Sequence, residues 1–176
     1  MKKIYWFTVL VTVAIYVAMV AWSLPAISID ANGLMPFDMR PTGYSFAEAQ
    51  AFLAALSIDG NAFYQSTQHK LDMAFPALEA LSVGWGIFLL SPKSWGVKRW
   101  VLALTALPGM VFDYLENAQV AVMLRAGAEN LTPEMADQAS QFTLLKSGFV
   151  TISLVLLLVL IVLWFLNKRK RGAKNK

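Results

Sequence analysis

Four stretches of about 20 mainly apolar residues divide the chain, and that length matches a hydrocarbon layer roughly 30 Å thick at about 1.5 Å per helical residue. They run roughly from Ile4 to Leu24, Leu71 to Leu90, Trp100 to Leu124 and Phe142 to Leu166. Backbone amides find no water in lipid, so such stretches must close their hydrogen bonds internally as helices. The expected fold class is therefore all-α integral membrane: a four-transmembrane-helix bundle forming one domain over residues 1–166. A hydrophobic content of 57% agrees, since soluble domains of this length carry less. No internal repeat or second domain is visible.

The cations set the orientation, because short cytoplasmic flanks are enriched in Lys and Arg. Lys2 and Lys3 precede the first stretch; Lys93, Lys98 and Arg99 separate the second and third; Lys168, Arg169, Lys170, Arg171, Lys174 and Lys176 follow the fourth. The opposite side holds only Arg40, Lys70 and Arg125 among seven acids, Asp30, Asp38, Glu48, Asp59, Glu129, Glu134 and Asp137. This pattern predicts a multi-pass protein of the cell inner (plasma) membrane with both termini cytoplasmic. Trp6, Trp22, Trp95, Trp100 and Trp164 fall near the expected interfaces, where amphipathic rings are stabilised. The opening apolar run is longer than the core of a signal peptide and lacks a good small-residue cleavage site, so it reads as an uncleaved anchor.

The outer loop, residues 25–70, carries its own helical signal. Ser45 and Glu48 form a capping box, and Phe46, Ala49, Phe52, Leu53 and Leu56 recur at helical spacing. An amphipathic helix is expected over about 45–57, lying on the membrane surface or on the bundle and ended by Asp59-Gly60. Asn61 is then expected to cap a helix running into the second span. Thr132-Pro133-Glu134 opens another helix that leads into the fourth. The basic tail, 167–176, is expected to be disordered and to act as a topology signal near anionic lipid. Gly84 and Gly86 in Gly84-Trp85-Gly86 are expected to permit close helix contact.

The most specific lead is a set of ionisable groups at membrane depth, each of which costs about 2.5–3.5 kcal/mol to insert unless paired or hydrated. Gln65, His69, Asp72, Pro76 and Glu79 share one helix face of the second span by their spacing; Asp113, Glu116 and Asn117 share one of the third. The fourth contributes Lys146, with Thr143 and Ser147 beside it. Counting inward from the outer ends brings these groups to similar depth in the outer half of the bundle. Four carboxylates facing one fixed cation predict that an acid holds a proton, binds a cation or meets water. Pro76 and Pro108-Gly109 open helix turns next to the acids, a device found where membrane helices line a cavity.

Three readings of this cluster compete: a knot that fixes helix packing, a site for a lipid headgroup, small ligand or partner, and a centre for catalysis or proton or cation movement. The sequence leaves enzyme status open. Its leading expectation is a non-enzymatic binding or accessory protein; the alternative is a small membrane enzyme or proton- or cation-coupled carrier using Asp113 and Glu116, with Lys146 as counter-ion. Expected partners are membrane lipid and a membrane-protein partner or a second copy of the chain. The net charge of +4 lies in short flanks, so no nucleic acid is expected.

No cofactor or metal is expected. The chain has no cysteine, which removes thiolate centres and disulfide chemistry, and one histidine, His69, cannot supply a multi-histidine zinc, di-iron or haem site. No phosphate loop or serine nucleophile elbow is present. Asn130-Leu131-Thr132 fits a glycosylation sequon on the outer side, a match short enough to arise by chance.

Overall fold

A computed structural model describes the backbone of residues 2–174 and the side chains of residues 2–169. Met1, Asn175 and Lys176, parts of the expected cytoplasmic flanks, lie outside the described residues. All regular structure among the described residues is helical. Three helices are long and apolar enough to cross a membrane: α1 (Lys2–Asp30), α3 (Ile58–Leu90) and α6, whose apolar stretch lies within Pro133–Arg169 and whose helix runs on to Lys174. The basic tail expected to be disordered thus continues the helix through Lys174.

The stretch expected to form the third span is interrupted. A short helix α4 (Lys98–Ala103) passes through a 3-10 turn, Leu104–Ala106, into α5 (Leu107–Asn130). Pro108 explains the break: it has no N–H to give the carbonyl of Leu104, and the Leu107 N–H bonds that carbonyl instead. With Asp113, Glu116, Arg125 and Glu129 along it, α5 is less apolar than the three long helices.

The segment between α1 and α3 forms a cap. Helix α2 (Phe46–Ala55) begins at the capping box, with the Ser45 hydroxyl accepting the Glu48 N–H at 3.3 Å and Glu48 accepting the Ser45 N–H at 2.8 Å. It packs on the C-terminal part of α5 and the N-terminal part of α6, burying Ala49, Phe52 and Leu53 in a cluster with Phe37, Tyr64, Met123 and Leu131. The next helix starts at Ile58, earlier than the Asn61 cap expected from sequence. Ser57 is the cap, accepting the Gly60 N–H at 3.0 Å. Asp30, at the end of α1, accepts the Ser57 N–H and hydroxyl at 2.9 and 2.7 Å, which ties the two helix ends together. Asn61 instead donates its amide to the Leu124 carbonyl at 2.9 Å. The start of α6 follows expectation, with Thr132 accepting the Met135 N–H ahead of Pro133.

In the bundle α6 packs on α5, α5 on α3, α3 on α6, and α1 on α3. Polar pairs join α1 to α3: the Thr12 and Ser82 hydroxyls are 2.8 Å apart, and Ser23 donates its hydroxyl to the Gln68 side-chain Oε1 at 2.6 Å. Such hydrogen bonds act as glue between helices where lipid removes the hydrophobic drive. Two π-helical turns, Met19–Ser23 and Tyr64–Gln68, bring Ser23 and Gln68 together. At the other end of the bundle, α3 makes its closest approaches at glycine: a Cβ on Gly84 would lie 2.8 Å from the Ala103 carbonyl oxygen, and one on Gly86 would lie 2.8 Å from the Tyr5 hydroxyl.

Candidate functional site

Helices α1 and α6 leave between them a cleft of about 690 Å³, backed by α3 and roofed by the capping segment around Asp38, Met39 and Pro41. One side of this cleft is apolar. Val9, Val13, Tyr16 and Val20 of α1 face Val150, Leu154 and Leu157 of α6, and Val13, Val20 and Leu154 are exposed along its rim. Tyr5 and Leu157, which both line the cleft, also lie against Gly86 of α3. The opposite wall is polar, with Asp72, Glu79 and Ser82 from α3, Asp113 from α5, and Thr143, Lys146 and Ser147 from α6.

The polar wall divides into a paired and an unpaired part. Lys146 Nζ lies 3.3 Å from Asp113 Oδ1 and also contacts Glu116 Oε2, while Thr143 donates its hydroxyl to Glu116 Oε1 at 2.5 Å. The Glu116 side chain is fully buried, and Asp113 is nearly so. The three charged groups form a brace that locks α5 onto α6. Asp72 is different: it is 5% exposed, lines the cleft, and its carboxylate has no hydrogen-bond or ion-pair partner among the described residues. Glu79, two turns further along α3, is also unpaired among them and lines the cleft.

Asn117 has a role that follows from Pro76. In a regular helix the residue 76 N–H would bond the Asp72 carbonyl, but proline has none. The Asn117 amide supplies that donor at 3.2 Å, and the Tyr114 hydroxyl reaches the neighbouring Met73 carbonyl at 3.0 Å. The irregular turn of α3 is thus satisfied from α5, which fixes where Asp72 stands. Replacing Asn117 with Leu leaves that carbonyl bare, and thermal unfolding in detergent should register a loss of about 1–3 kcal/mol.

His69 and Gln65 stand apart from the brace. Both line a second cavity of about 60 Å³ with Tyr64, Asn117 and Arg125, and Gln65 donates to Asn61 at 2.5 Å. Asp72 and Asp38 border this cavity and the cleft alike. The structure therefore brings Asp113, Glu116, Lys146 and Thr143 into contact, sets Asp72 and Glu79 along the same cleft, and places His69 behind it.

Sequence reasoning missed Asp38, Tyr44 and Thr12. Asp38 comes from a 3-10 turn, Phe37–Met39, and its carboxylate accepts the Tyr64 hydroxyl at 2.7 Å. Tyr44 is held over α6 because its N–H bonds the Ser140 hydroxyl at 2.9 Å, next to Gly43 at φ +78, where a Cβ would press on Ser140. Burial, and then the carboxylates of Glu116 and Asp38, raise the Tyr44 hydroxyl above its ordinary pKa, so it stays neutral. Only an acid in a loop otherwise ending at a capping box signalled this cap. Among the described residues no group of three or more His, Asp or Glu side chains is placed to hold a metal ion.

No family model, curated protein or solved structure matches the chain.

Proposed function

We propose that the protein is a non-enzymatic binding protein of the cell inner (plasma) membrane, holding a membrane-dissolved amphiphile in the cleft between α1 and α6. The observation that carries this reading is the cleft itself. Its volume of about 690 Å³ falls within the range of small-molecule sites, roughly 300–1,000 Å³, and its walls are apolar on one side and charged on the other. Its rim of exposed Val13, Val20 and Leu154 suits entry from lipid. The engagement of Asp113 and Glu116 with Lys146 favours a structural brace at these residues over acid–base work, and so favours binding over the enzyme or carrier alternative.

A diazirine-bearing long-chain alcohol tests the reading. In nanodiscs it should label the cleft walls on α1 and α6 at least tenfold above the outward residues Leu10 and Val155, and Val13→Trp should remove that excess, a change of about 1.4 kcal/mol or more. Labelling spread evenly over all exposed apolar side chains would reject the cleft as a binding site.

The topology we propose has four crossings, with the α4–α5 segment as the third, α2 as an amphipathic helix in the outer cap, and both termini cytoplasmic. The packing of α5 against both α3 and α6 supports this. Because the chain lacks cysteine, single cysteines report sidedness cleanly. Asp59→Cys and Glu129→Cys should react with a charged, impermeant maleimide applied outside intact cells, and Ser94→Cys should react only after lysis. If the chain crossed three times, Glu129→Cys would be protected with Ser94→Cys.

A further inference from the structure

We propose that the amphiphile carries a protonated amine, anchored by the Asp72 carboxylate at the outer end of the cleft. This inference rests on the cleft's being a binding site for an amphiphile and adds the chemistry of its polar end. Five carboxylates border the region: Asp38, Asp72, Glu79, Asp113 and Glu116. Among the described residues Lys146 is the one cation lining the cleft, and it is committed to Asp113 and Glu116. Asp38 is occupied by the Tyr64 hydroxyl. Asp72 remains, buried and without a partner among the described residues.

An unpaired carboxylate at that depth is costly, and neighbouring acids make it more so. An ammonium group relieves both costs, since it supplies charge and several N–H donors at one point. An anionic phosphate head would instead meet the fields of Asp72 and Glu79 as repulsion. A bare metal ion fits poorly as well, because the wall offers no convergent ligand set. Below Asp72, α3 runs about 16 Å to Val83 alongside the apolar wall, which is room for a single alkyl chain. Glu79 lies two turns below Asp72 on the same face, about 10 Å away, so it adds attraction without sharing the ammonium contact.

The test uses the full chain in phosphatidylcholine nanodiscs at neutral pH. Dodecylamine, dodecanol and dodecanoate compete with the diazirine alcohol for the cleft. Dodecylamine should displace it at a concentration at least tenfold below that needed for dodecanol, with dodecanoate weakest. Asp72→Asn should erase the advantage of the amine while leaving dodecanol unchanged. Should that variant fail to fold, the amine-to-alcohol ratio in the unmodified chain decides. Equal competition by amine and alcohol, or preference for dodecanoate, overturns the amine assignment and leaves the cleft reading standing. If no competitor displaces the probe and Val13→Trp does not alter its labelling, both fall.

Discussion

Lys146→Met should destabilise the protein by about 3–5 kcal/mol, the largest loss expected from any single polar substitution in the bundle. The magnitude follows from what is left behind. Lys146 holds two carboxylates at once, and Glu116 is fully buried on α5 with only Thr143 as its other partner. Without the ammonium, an anion stays in a region with neither water nor counter-charge, or the group must take up a proton. The pair itself is not intrinsically strong, since drawing two charges from water offsets much of their attraction. That asymmetry gives a sharp test. Asp113→Asn and Glu116→Gln combined with Lys146→Met should recover most of the loss, because both uncompensated carboxylates are gone, whereas Lys146→Met alone should lower the thermal midpoint steeply in detergent. A single variant as stable as the parent would mean that the brace contributes nothing and that Glu116 is neutral in the folded state.

Much of this arrangement was legible because helical spacing is a local property. The intervals from Asp113 to Glu116 and from Asp72 to Glu79 place those acids on single faces, and depth counted from the helix ends brings Lys146 level with them. Insertion cost then requires that they meet. Spacing cannot show which acid takes the lysine. Asp113 and Glu116 share it while Asp72 stands unpaired, and that division depends on how α5 sits between α3 and α6. Asn117 was visible as a polar neighbour, yet its purpose appears only once Pro76 is seen opposite it across two helices.

Other features had weaker local signals. The two π-helical turns, one in α1 and one in α3, each insert an extra residue into the helical repeat, and Ser23 and Gln68 meet at them. Asp38 lies on a loop whose composition says only that it turns; its place over the cleft is set by Phe37, fully buried among Tyr44 and Phe52. The start of α3 moved from Asn61 to Ser57 because Asp30, from a helix end 27 residues earlier, holds Ser57 in capping position. Each of these is a tertiary contact overriding a local preference.

Gly84→Val should cost about 2–3 kcal/mol, the next largest loss, and it tests a contact anticipated from the Gly84-Trp85-Gly86 pattern. Pro108 is where the cause begins. By tightening the turn before it to 3-10 geometry, it redirects the Leu107 N–H to the Leu104 carbonyl, and the Ala103 carbonyl oxygen stands against α3. Only a residue without a side chain lets the helices approach that far: any Cβ at 84 would lie 2.8 Å from a backbone oxygen, which cannot swing aside as a side chain does. Valine adds two methyl groups to that overlap, so α4 must move away from α3. Gly148 supplies the opposite case in the same bundle, because a Cβ there meets nothing within 4 Å. Gly148→Ala should therefore be neutral or stabilising by up to about 1 kcal/mol, through the reduced freedom of the unfolded chain and the better helix propensity. Thermal unfolding of the two variants in the same detergent separates the causes. Equal losses at 84 and 148 would mean that these glycines act through helix flexibility alone, and opposite signs mean that the close approach of α3 to Ala103 holds the interrupted α4–α5 segment against the bundle.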